Sequence, residues 1–409
     1  MKRQPFDFEL ITRCFLGGAK PREIPELRAS SVRAQLRWWF RVLGGFSIST
    51  HGTLRKQEDY IFGVAAGDSG TAGKLRVQIT VAPKAEVGIF AREQVEQHSA
   101  ESYFLWPFAQ EIQAQANPRA CFAKGTKFEV RILWLGEAVL WPSIQALVAV
   151  FGHLGSLGTR GRRAMGALRS TSPTGMSLAA ALPSFRSPGA ITVFATPANS
   201  AQNATSKLAD WLRGWRQHGQ RNRTWDKHAS PPAWKPIKKP ATKGQGFGYA
   251  RRDHNEGLEV LKYPSGSDPS SLLASSSDRE NPAGNAGTTF RPALGLPIVQ
   301  FFSSLGDANG RFPPKATTVN WSWSTNGGRF ASPVLLRPHW DGSNWQALVI
   351  FLENKKWPND SSTGKPRQVV LNGAKREVSL DLYDKMKSEL ENQVTTNSQW
   401  SKLCSGHRP

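Results

Sequence analysis

Alternating apolar and polar residues mark three strands in the first part of the chain. Phe6, Phe8 and Leu10 alternate with polar residues, and the same period of two recurs over residues 74–82 (KLRVQITVA) and 126–135 (TKFEVRILWL). This period places successive side chains on opposite faces of a strand. The three segments therefore predict a sheet with one face turned to a hydrophobic core.

A different spacing, typical of an amphipathic helix, occupies residues 28–45. Its apolar residues, from Val32 to Leu43, lie three and four positions apart. Ser30 or Ser31 is the predicted N-cap, and the glycines at 44 and 45 are the predicted stop. A second apolar helix is predicted to begin at Pro142, because proline is favoured in the first helical turn.

The first 172 residues thus follow the order strand, helix, strand, strand, helix, strand, which is the split βαβ order of a ferredoxin-like domain. The second half repeats the order less regularly, with strands predicted at 190–196, 331–340 and 345–352, a helix face from Leu208 to Trp215 and a helix at 374–391. We therefore predict an α+β fold with two tandem ferredoxin-like (RRM-like) domains, residues 1–172 and 173–409. A glycine-rich loop and long insertions in the second domain, at about residues 217–289, complete this prediction.

The net charge of the chain indicates which class of molecule it binds. The chain has 53 Lys and Arg against 31 Asp and Glu, a net charge of +22, which favours a polyanionic partner. The charge is also uneven, since no acidic residue lies between Glu137 and Asp210. Fifteen Trp and 21 Phe supply flat rings on which bases can stack.

Other classes of protein are disfavoured. The start of the chain lacks the apolar core of a signal peptide, and the most apolar run, residues 138–151, is short and mixed for a membrane span. Cys14, Cys121 and Cys404 have neither zinc-site spacing nor the pattern of a disulfide framework. We expect a soluble, cytoplasmic protein without cofactor, metal ligand or membrane partner.

Three arginines form a basic stripe on the helix at 28–45. Arg33, Arg37 and Arg41 follow one another at four-residue spacing, and no acidic residue of the same helix offsets their repulsion. Guanidinium groups suit phosphate, because they stay charged and donate in a forked geometry. The stripe is either a phosphate-binding face or a solvated basic face.

The segment from Gly152 to Arg169 (GHLGSLGTRGRRAMGALR) combines glycines with arginines. Glycines let a backbone approach a ligand closely and adopt positive φ, which we expect at Gly161. The segment contains neither a P-loop nor a dinucleotide-binding fingerprint. It is either a flexible turn or a loop that contacts a nucleic-acid backbone.

In this arrangement the chain resembles the RAMP superfamily of CRISPR proteins, and within it the first-numbered subunit of type III-B (Cmr) effector complexes. The resemblance rests on Phe8–Ala19 (FELITRCFLGGA), Glu26–Leu43 (ELRASSVRAQLRWWFRVL), Glu58–Gly63 (EDYIFG), Gly152–Leu168, Arg291–Pro297 (RPALGLP) and Ala331–Pro338 (ASPVLLRP). The sequence departs from the pattern at Ala34 and Ala164, where glycine is expected.

The resemblance implies a non-catalytic RNA-binding subunit of a ribonucleoprotein in antiviral defence. It would engage the 3′ part of the guide RNA (crRNA), the target RNA, or both, together with other subunits of the complex. The predicted RNA-binding residues are Gly17, Gly18, Arg28, Arg33, Arg37, Trp38, Arg41, Gly158, Arg160, Gly161, Arg162 and Arg163, with no catalytic residue.

Two alternatives stay open. The first is a metal-independent, guide-processing endoribonuclease of the same superfamily, for which His153 is the one candidate acid or base. His153 can equally be a histidine at a helix C-terminus, favoured there by the helix dipole. The second alternative is a basic RNA-binding protein unconnected with CRISPR.

Overall fold

The computed structural model describes residues 1–20, 23–48, 51–65, 70–81, 87–90, 101–105, 119–171, 175–216, 247–261, 287–296, 298–301, 318–324, 328–396 and 399–404. The strands are β1 (Lys2–Leu10), β2 (Gly63–Val64), β3 (Thr71–Ala72), β4 (Leu75–Val81), β5 (Val87–Phe90), β6 (Arg119–Phe122), β7 (Lys127–Trp134), β8 (Leu168–Ser170), β9 (Ile191–Ala198), β10 (Thr288–Thr289), β11 (Ile298–Phe301), β12 (Thr318–Ser322), β13 (Val334–Trp340), β14 (Trp345–Leu352), β15 (Val369–Leu371), β16 (Ala374–Val378) and β17 (Ser401–Cys404). The helices are α1 (Ala29–Val42), α2 (Leu54–Phe62), α3 (Trp141–Leu154), α4 (Leu178–Ala181), α5 (Ala201–Arg216), α6 (Phe247–Val260) and α7 (Asp381–Thr395).

The chain divides into two compact units. Unit 1 comprises Met1–Ala209, Val334–Asn354 and Glu391–Pro409, and unit 2 comprises Asp210–Pro333 and Lys355–Leu390. The sequence predicts a boundary between two ferredoxin-like domains at residues 172/173. The division into two compact units does not test that boundary, which stays a prediction. Residues 217–246 and 262–286, most of the predicted insertion, lie outside the described residues.

The first sheet of unit 1 has the order β4–β7–β1–β8, and each neighbouring pair is antiparallel. In the chain, α1 connects β1 with the strands that follow, and α3 lies between β7 and β8. The alternation seen in the sequence is the burial pattern of this sheet. The Phe8 ring packs against Phe128 at 5.8 Å and against Phe151 of α3 at 5.6 Å between ring centroids, which joins the sheet and helix in one core.

A second sheet in unit 1 has the order β13–β14–β9–β17, again antiparallel throughout. Its central strands β9 and β14 are buried over six consecutive residues each, Ile191–Thr196 and Ala347–Leu352. Such continuous burial is typical of strands that are covered on both faces. Leu348 and Ile350 belong to the same hydrophobic cluster as the first sheet.

Unit 2 contains a five-stranded sheet of order β10–β16–β15–β12–β11. The β10–β16 pair is parallel and the other pairs are antiparallel. A separate hydrophobic cluster that includes Trp321, Trp357 and Val369 stabilises this unit. The protein is therefore a mixed α/β structure built mainly on antiparallel sheets.

Two local predictions are wrong. The segment 374–391 is not one helix, because Ala374–Val378 forms strand β16 and α7 begins only at Asp381. Asn372 and Gly373 both have positive φ, 45° and 91°, and this pair forms the tight turn of a β15–β16 hairpin. Helix α1 starts at Ala29 with Arg28 as N-cap and no side-chain cap, so neither serine caps it.

No helix in the described ranges is long and apolar enough to cross a lipid bilayer. In the same ranges no group of three or more His, Cys, Asp or Glu side chains could hold a metal ion.

Candidate nucleic-acid interface

Two loops of unit 1 pair with each other and form the centre of the candidate interface. The glycine loop, residues 155–167, joins α3 to β8, and the segment at residues 11–19 follows β1. The Thr159 amide donates to the Phe15 carbonyl at 2.9 Å, and the Gly166 amide donates to the Arg13 carbonyl at 2.8 Å. This pairing brings the segment that contains Gly17 and Gly18 beside the glycine loop, so residues from two separate parts of the predicted site meet.

Glycine is required at two positions of the loop because the paired backbone is so close. Gly158 and Gly166 have φ of 76° and 63°. A Cβ atom would lie 2.4 Å from the Phe15 carbonyl oxygen at Gly158, and 1.9 Å from the Leu157 carbonyl oxygen at Gly166. These distances are far below van der Waals contact, so neither position accepts a side chain without a shift of the backbone.

Gly161 has a different role from the one predicted. Its φ is not positive, and a Cβ there would lie 2.5 Å from the Ser156 hydroxyl oxygen and 3.6 Å from the Gly158 carbonyl oxygen, the second an ordinary van der Waals contact. That hydroxyl donates to the Gly161 carbonyl at 2.9 Å. The left-handed positions of the loop without glycine are Arg160 and Ala164, each with φ of 65°, and glycine was expected at Ala164.

The three arginines of the loop have three different environments. The Nε of Arg160 donates to the Phe104 carbonyl at 2.8 Å. Arg162 is half-buried, its guanidinium carbon lies 5.2 Å from the centroid of the Trp38 ring, and burial lowers the pKa of this side chain. Arg163 is buried and donates to the carbonyls of Val334 and Arg162, each at 3.0 Å. The prediction that Arg163 faces RNA phosphate is corrected, because this side chain anchors the loop to β13.

The segment at Gly17–Ala19 contacts the carboxylate of Glu26. Glu26 accepts from the Ala19 amide at 2.9 Å and from Arg28 Nε at 2.7 Å. The hydrogen bond from the Ala19 amide, followed by that from Arg28, holds the pKa of Glu26 below its usual value. A Cβ at Gly18 would overlap the Glu26 side chain. Arg28 is therefore engaged by an acidic neighbour at the position where phosphate binding was predicted.

The arginine stripe of α1 packs against α2. Arg41 donates to Glu58 Oε2 at 2.7 Å, and Arg37 hydrogen-bonds Oε1 of the same carboxylate. Arg33 donates to the Phe62 carbonyl. Burial opposes ionisation of Glu58, but the hydrogen bonds from Arg41 and Arg37 outweigh it and lower its pKa overall. The repulsion within the stripe is thus offset by a residue of the next helix.

Glu58 is the partner of the arginine stripe, and the sequence analysis did not identify it. Its side chain is only 8% exposed, compared with 34% for Arg37 and 51% for Arg41. A signal for it was present, because Glu58, Ile61 and Phe62 share one helical face and a carboxylate on an apolar face needs a partner. The two arginines therefore share the one carboxylate of Glu58, and Arg41 is the more exposed of the two.

The adjacent tryptophans Trp38 and Trp39 point to different surroundings. Trp39 is buried in the core of unit 1, whereas Trp38 is half-buried and packs edge-on against it at 4.8 Å between ring centroids. Trp39 therefore belongs to the buried face of α1, together with Val32 and Leu36. Trp38 lies at the edge of α1, where Arg162 of the glycine loop stacks on it.

His153 lies in the last turn of α3 but is not exposed to solvent as a charged cap. Its Nε2 hydrogen-bonds the Met176 carbonyl at 2.9 Å, and its Nδ1 hydrogen-bonds His339 Nε2 at 3.0 Å. Burial lowers the pKa of His153 and, with Arg337 and His153 nearby, lowers that of His339 to about 3. Both imidazoles are therefore neutral near pH 7, so the predicted stabilisation of a charged His153 by the helix dipole does not operate.

The structure thus unites part of the predicted interface and separates the rest. The paired loops bring together Gly17, Gly18, the residues from Gly158 to Arg162 and, beside them, Trp38. The side chains of Arg33, Arg37 and Arg41 instead face α2. Sequence comparison gives the wider context. Residues 7–169 match the RAMP superfamily.

Two proteins of Pyrococcus furiosus are similar in sequence to this chain. CRISPR system Cmr subunit Cmr1-1 is 27% identical over 167 residues, which cover 41% of this chain and 47% of that protein. CRISPR system Cmr subunit Cmr1-2 is 29% identical over 192 residues, which cover 40% of this chain and 92% of that protein. The similarity to Cmr1-1 therefore spans about half of its length.

Solved structures show only a distant similarity. Cmr1 from Pyrococcus furiosus in its apo form aligns over 100% of both chains with a TM-score of 0.47 and 15% identity. A chain of the type III-B Cmr-beta complex bound to cognate target RNA aligns over 94% of this chain and 98% of that one, with a TM-score of 0.41 and 8% identity. Neither alignment is close enough to transfer a site. The match at residues 7–169 and the similarity to the two Cmr1 subunits thus show that the N-terminal part of this chain resembles the RAMP superfamily and its Cmr1 subunits.

Proposed function

We propose that this chain is a non-catalytic RNA-binding subunit of a type III-B CRISPR effector ribonucleoprotein. It engages the 3′ part of the guide RNA, the target RNA, or both, and works with other Cmr subunits in antiviral defence in the cytoplasm. The observation that carries the proposal is the pairing of the two loops, which brings Gly17–Gly18, Gly158–Arg162 and Trp38 to one surface. The excess of basic residues supports it, since phosphate contacts supply much of the affinity for RNA.

The geometry favours an RNA backbone at the paired loops. Gly158 and Thr159 are exposed at the tip of the loop, and Arg160 and Arg162 flank them. An Arg stacked on a Trp keeps its charge while the ring holds its orientation, so Arg162 is presented at low entropic cost. The exposed edge of Trp38 is then available to a base or to a neighbouring subunit.

We further propose that both sheets of unit 1 belong to ferredoxin-like domains, residues 1–172 and 173–409. The support is their common topology. In each sheet the third strand along the chain lies between the second and the first, and the fourth flanks the first. Helices occur in both cases between the first and second strands and between the third and fourth strands.

A salt titration tests the RNA-binding role of the loop. Affinity for a fluorescein-labelled single-stranded oligouridine is measured by anisotropy over a range of salt concentrations. Arg162→Ala should weaken binding and make the log–log salt slope shallower by about 0.7, the value for one neutralised phosphate of a single strand. Arg131→Ala is the matched control, because Arg131 lies on β7 in an ion pair with Glu129. Equal effects of the two substitutions would remove the loop from the interface.

The endoribonuclease alternative is tested with the same protein. His153 has hydrogen-bond partners at both nitrogens and is held neutral by burial, which leaves no evident path for proton transfer to a substrate. Labelled repeat RNA incubated with the protein in EDTA should therefore remain intact. Defined cleavage that His153→Ala abolishes would replace the binding-subunit proposal with the nuclease.

A further inference from the structure

One buried arginine connects both ends of the segment that carries the glycine loop. Arg337 of β13 is only 2% exposed. Its guanidinium donates to the Gly152 carbonyl at 2.7 Å and also to the carbonyls of Gly155 and Leu168. Gly152 lies in the last turn of α3, Gly155 caps that helix as the first residue of the loop, and Leu168 begins β8 after the loop.

The charge of Arg337 is compensated by dipoles and not by an acid. In the part of the chain that the structure describes, no carboxylate forms an ion pair with it, and its partners are three main-chain carbonyls. Two of these carbonyls lie at the C-terminus of a helix, where the dipole is negative and a cation is favoured. Burial lowers the pKa of Arg337 to about 9, so the guanidinium is still charged near pH 7.

A buried charge is costly, and an apolar side chain of similar volume would avoid that cost. What an apolar side chain cannot do is bind three carbonyls at once, whereas the five donors of a planar guanidinium can. The carbonyls of Gly152, Gly155 and Leu168 would otherwise be buried acceptors at loop ends that glycine makes flexible. The contacts of Arg337 are thus suited to fix the distance between those two ends.

Backbone hydrogen bonds to β13 also hold the middle of the glycine loop in place. The Ala164 amide donates to the Leu336 carbonyl at 2.9 Å, and the Leu336 amide donates to the Arg162 carbonyl at 3.2 Å. The Arg163 side chain donates to the Val334 carbonyl at 3.0 Å. One face of the loop is therefore bound to β13, which leaves the opposite part, around Gly158 and Thr159, exposed.

We propose that Arg337 is a positioning residue for RNA binding, which holds the glycine loop in its RNA-binding conformation through Gly152, Gly155 and Leu168 without contacting RNA. The inference rests on the proposed function, in that the loop is taken as the RNA-contacting element. It makes the geometry of the loop depend on a strand that lies 182 residues further along the chain than Gly155.

The test compares Arg337→Met with a core variant of equal stability loss. Ile350→Ala, or Ile350→Val if that matches better, removes buried apolar volume from β14 of the same sheet. Affinity for labelled single-stranded oligouridine is measured against salt, at a temperature where both variants are fully folded by circular dichroism. Hydrogen exchange of residues 152–168 is followed by mass spectrometry in the absence of RNA. Arg337→Lys is measured in parallel, and it serves as the main variant if Arg337→Met does not fold.

We expect Arg337→Met to weaken RNA binding by about tenfold or more, by analogy with the loss of hydrogen bonds that orient the ligands of metal sites. The salt slope should stay unchanged, since no phosphate contact is lost. Loop amides should exchange faster than in the wild type and in the Ile350 variant. Arg337→Lys should recover part of both losses, because one ammonium can donate to some of the three carbonyls.

Two results would overturn the inference. One is RNA affinity and loop exchange equal to those of the matched Ile350 variant, which would make Arg337 an ordinary contributor to stability. The other is a slope shallower by about 0.7, which would make Arg337 a direct phosphate ligand. If the wild type fails to bind RNA, the proposed function fails, and hydrogen exchange alone still decides whether Arg337 holds the loop.

Discussion

The arginine stripe of α1 and the glycine loop differ in what holds their guanidinium groups. In the stripe, Arg37 and Arg41 share the carboxylate of Glu58. In the loop, Arg160 contacts a carbonyl, Arg163 contacts two, and Arg162 stacks on Trp38. A carboxylate orients a guanidinium and also neutralises it, whereas a carbonyl or an aromatic ring orients it and leaves its charge.

This difference distinguishes two structural roles that a cluster of basic residues can have. The stripe is a run of like charges within one helix, and its partner comes from α2, 17 residues after Arg41. The loop has its charges on a backbone whose shape is set by glycine and by contacts with residues 11–16 and β13. Loop geometry therefore supports the proposed RNA-binding surface better than the stripe does, and the stripe is first a helix–helix contact.

The largest effect should come from the loop backbone. Gly166→Ala places a methyl group against the Leu157 carbonyl at a residue with positive φ. Strain of this kind costs about 3 kcal/mol once a backbone overlap is added, and we expect a corresponding loss in the free energy of unfolding by urea titration. Gly161→Ala is the control, since the φ of Gly161 is not positive and the close contact of its Cβ would be with the Ser156 side chain, and it should cost about 1 kcal/mol or less. A smaller loss for Gly166→Ala than for Gly161→Ala would show that residue 166 is not held at positive φ against the Leu157 carbonyl.

A substitution of Glu58 tests the contact between the arginine stripe and α2. Glu58→Gln removes the charge that Arg37 and Arg41 share, and we expect a stability loss of about 1–2 kcal/mol, less than for a fully buried pair because both arginines are partly exposed. Glu129→Gln, which alters the ion pair with Arg131, is the control and should change stability by about 0.5 kcal/mol or less.

The same variant also decides whether the stripe contacts RNA. With Glu58 neutral, a stripe that binds phosphate should bind single-stranded RNA more tightly at low salt. If the affinity is unchanged in Glu58→Gln while Arg162→Ala weakens it, the stripe serves helix packing alone and the contrast with the loop becomes complete.

Acid should destabilise unit 1 beside the loop through His153 and His339. Burial depresses both folded-state pKa values, that of His339 to about 3, whereas an unfolded histidine titrates near 6.5. Their contribution is thus fully present above about pH 6.5 and is lost as the pH falls, at about 1.4 kcal/mol per pH unit for His339 alone. Urea unfolding between about pH 7.5 and pH 5 should show a nearly constant contribution down to about pH 6.5 and this slope below it, and His339→Gln should flatten the slope. An equal slope in His339→Gln would assign the acid sensitivity to other groups.

Much of the framework followed from local patterns, and the failures have particular causes. Alternation located β1, β4 and β7, and helical spacing located α1. The hairpin at Asn372–Gly373 was overlooked although its turn residues are a strong signal, because the mixed charges that follow it fit a solvated helix equally well. Glu58 and Arg337 could not be assigned as partners of α1 and the loop, since their contacts depend on tertiary packing between distant segments.

The smallest effect is expected at Ala164, where the resemblance to the RAMP superfamily called for glycine. Ala164 is buried at φ of 65°, its amide donates to Leu336, and its carbonyl accepts from the Thr12 hydroxyl at 2.7 Å. Ala164→Gly relieves about 1–2 kcal/mol of left-handed strain. It also loses about 0.8 kcal/mol from the buried methyl group and a further 0.5–1 kcal/mol from the greater chain entropy of glycine.

These terms nearly cancel, so Ala164→Gly should change the free energy of unfolding by about 0.5 kcal/mol or less. Ala146→Gly is the matched control, because Ala146 is equally buried but lies in α3 with helical φ. With no strain to relieve, it should lose about 1.5–2 kcal/mol from helix propensity and methyl burial. Equal losses in the two variants would mean that the loop does not hold residue 164 at positive φ, and the contrast between a loop shaped by its backbone and a stripe shaped by its charges would lose its geometric basis.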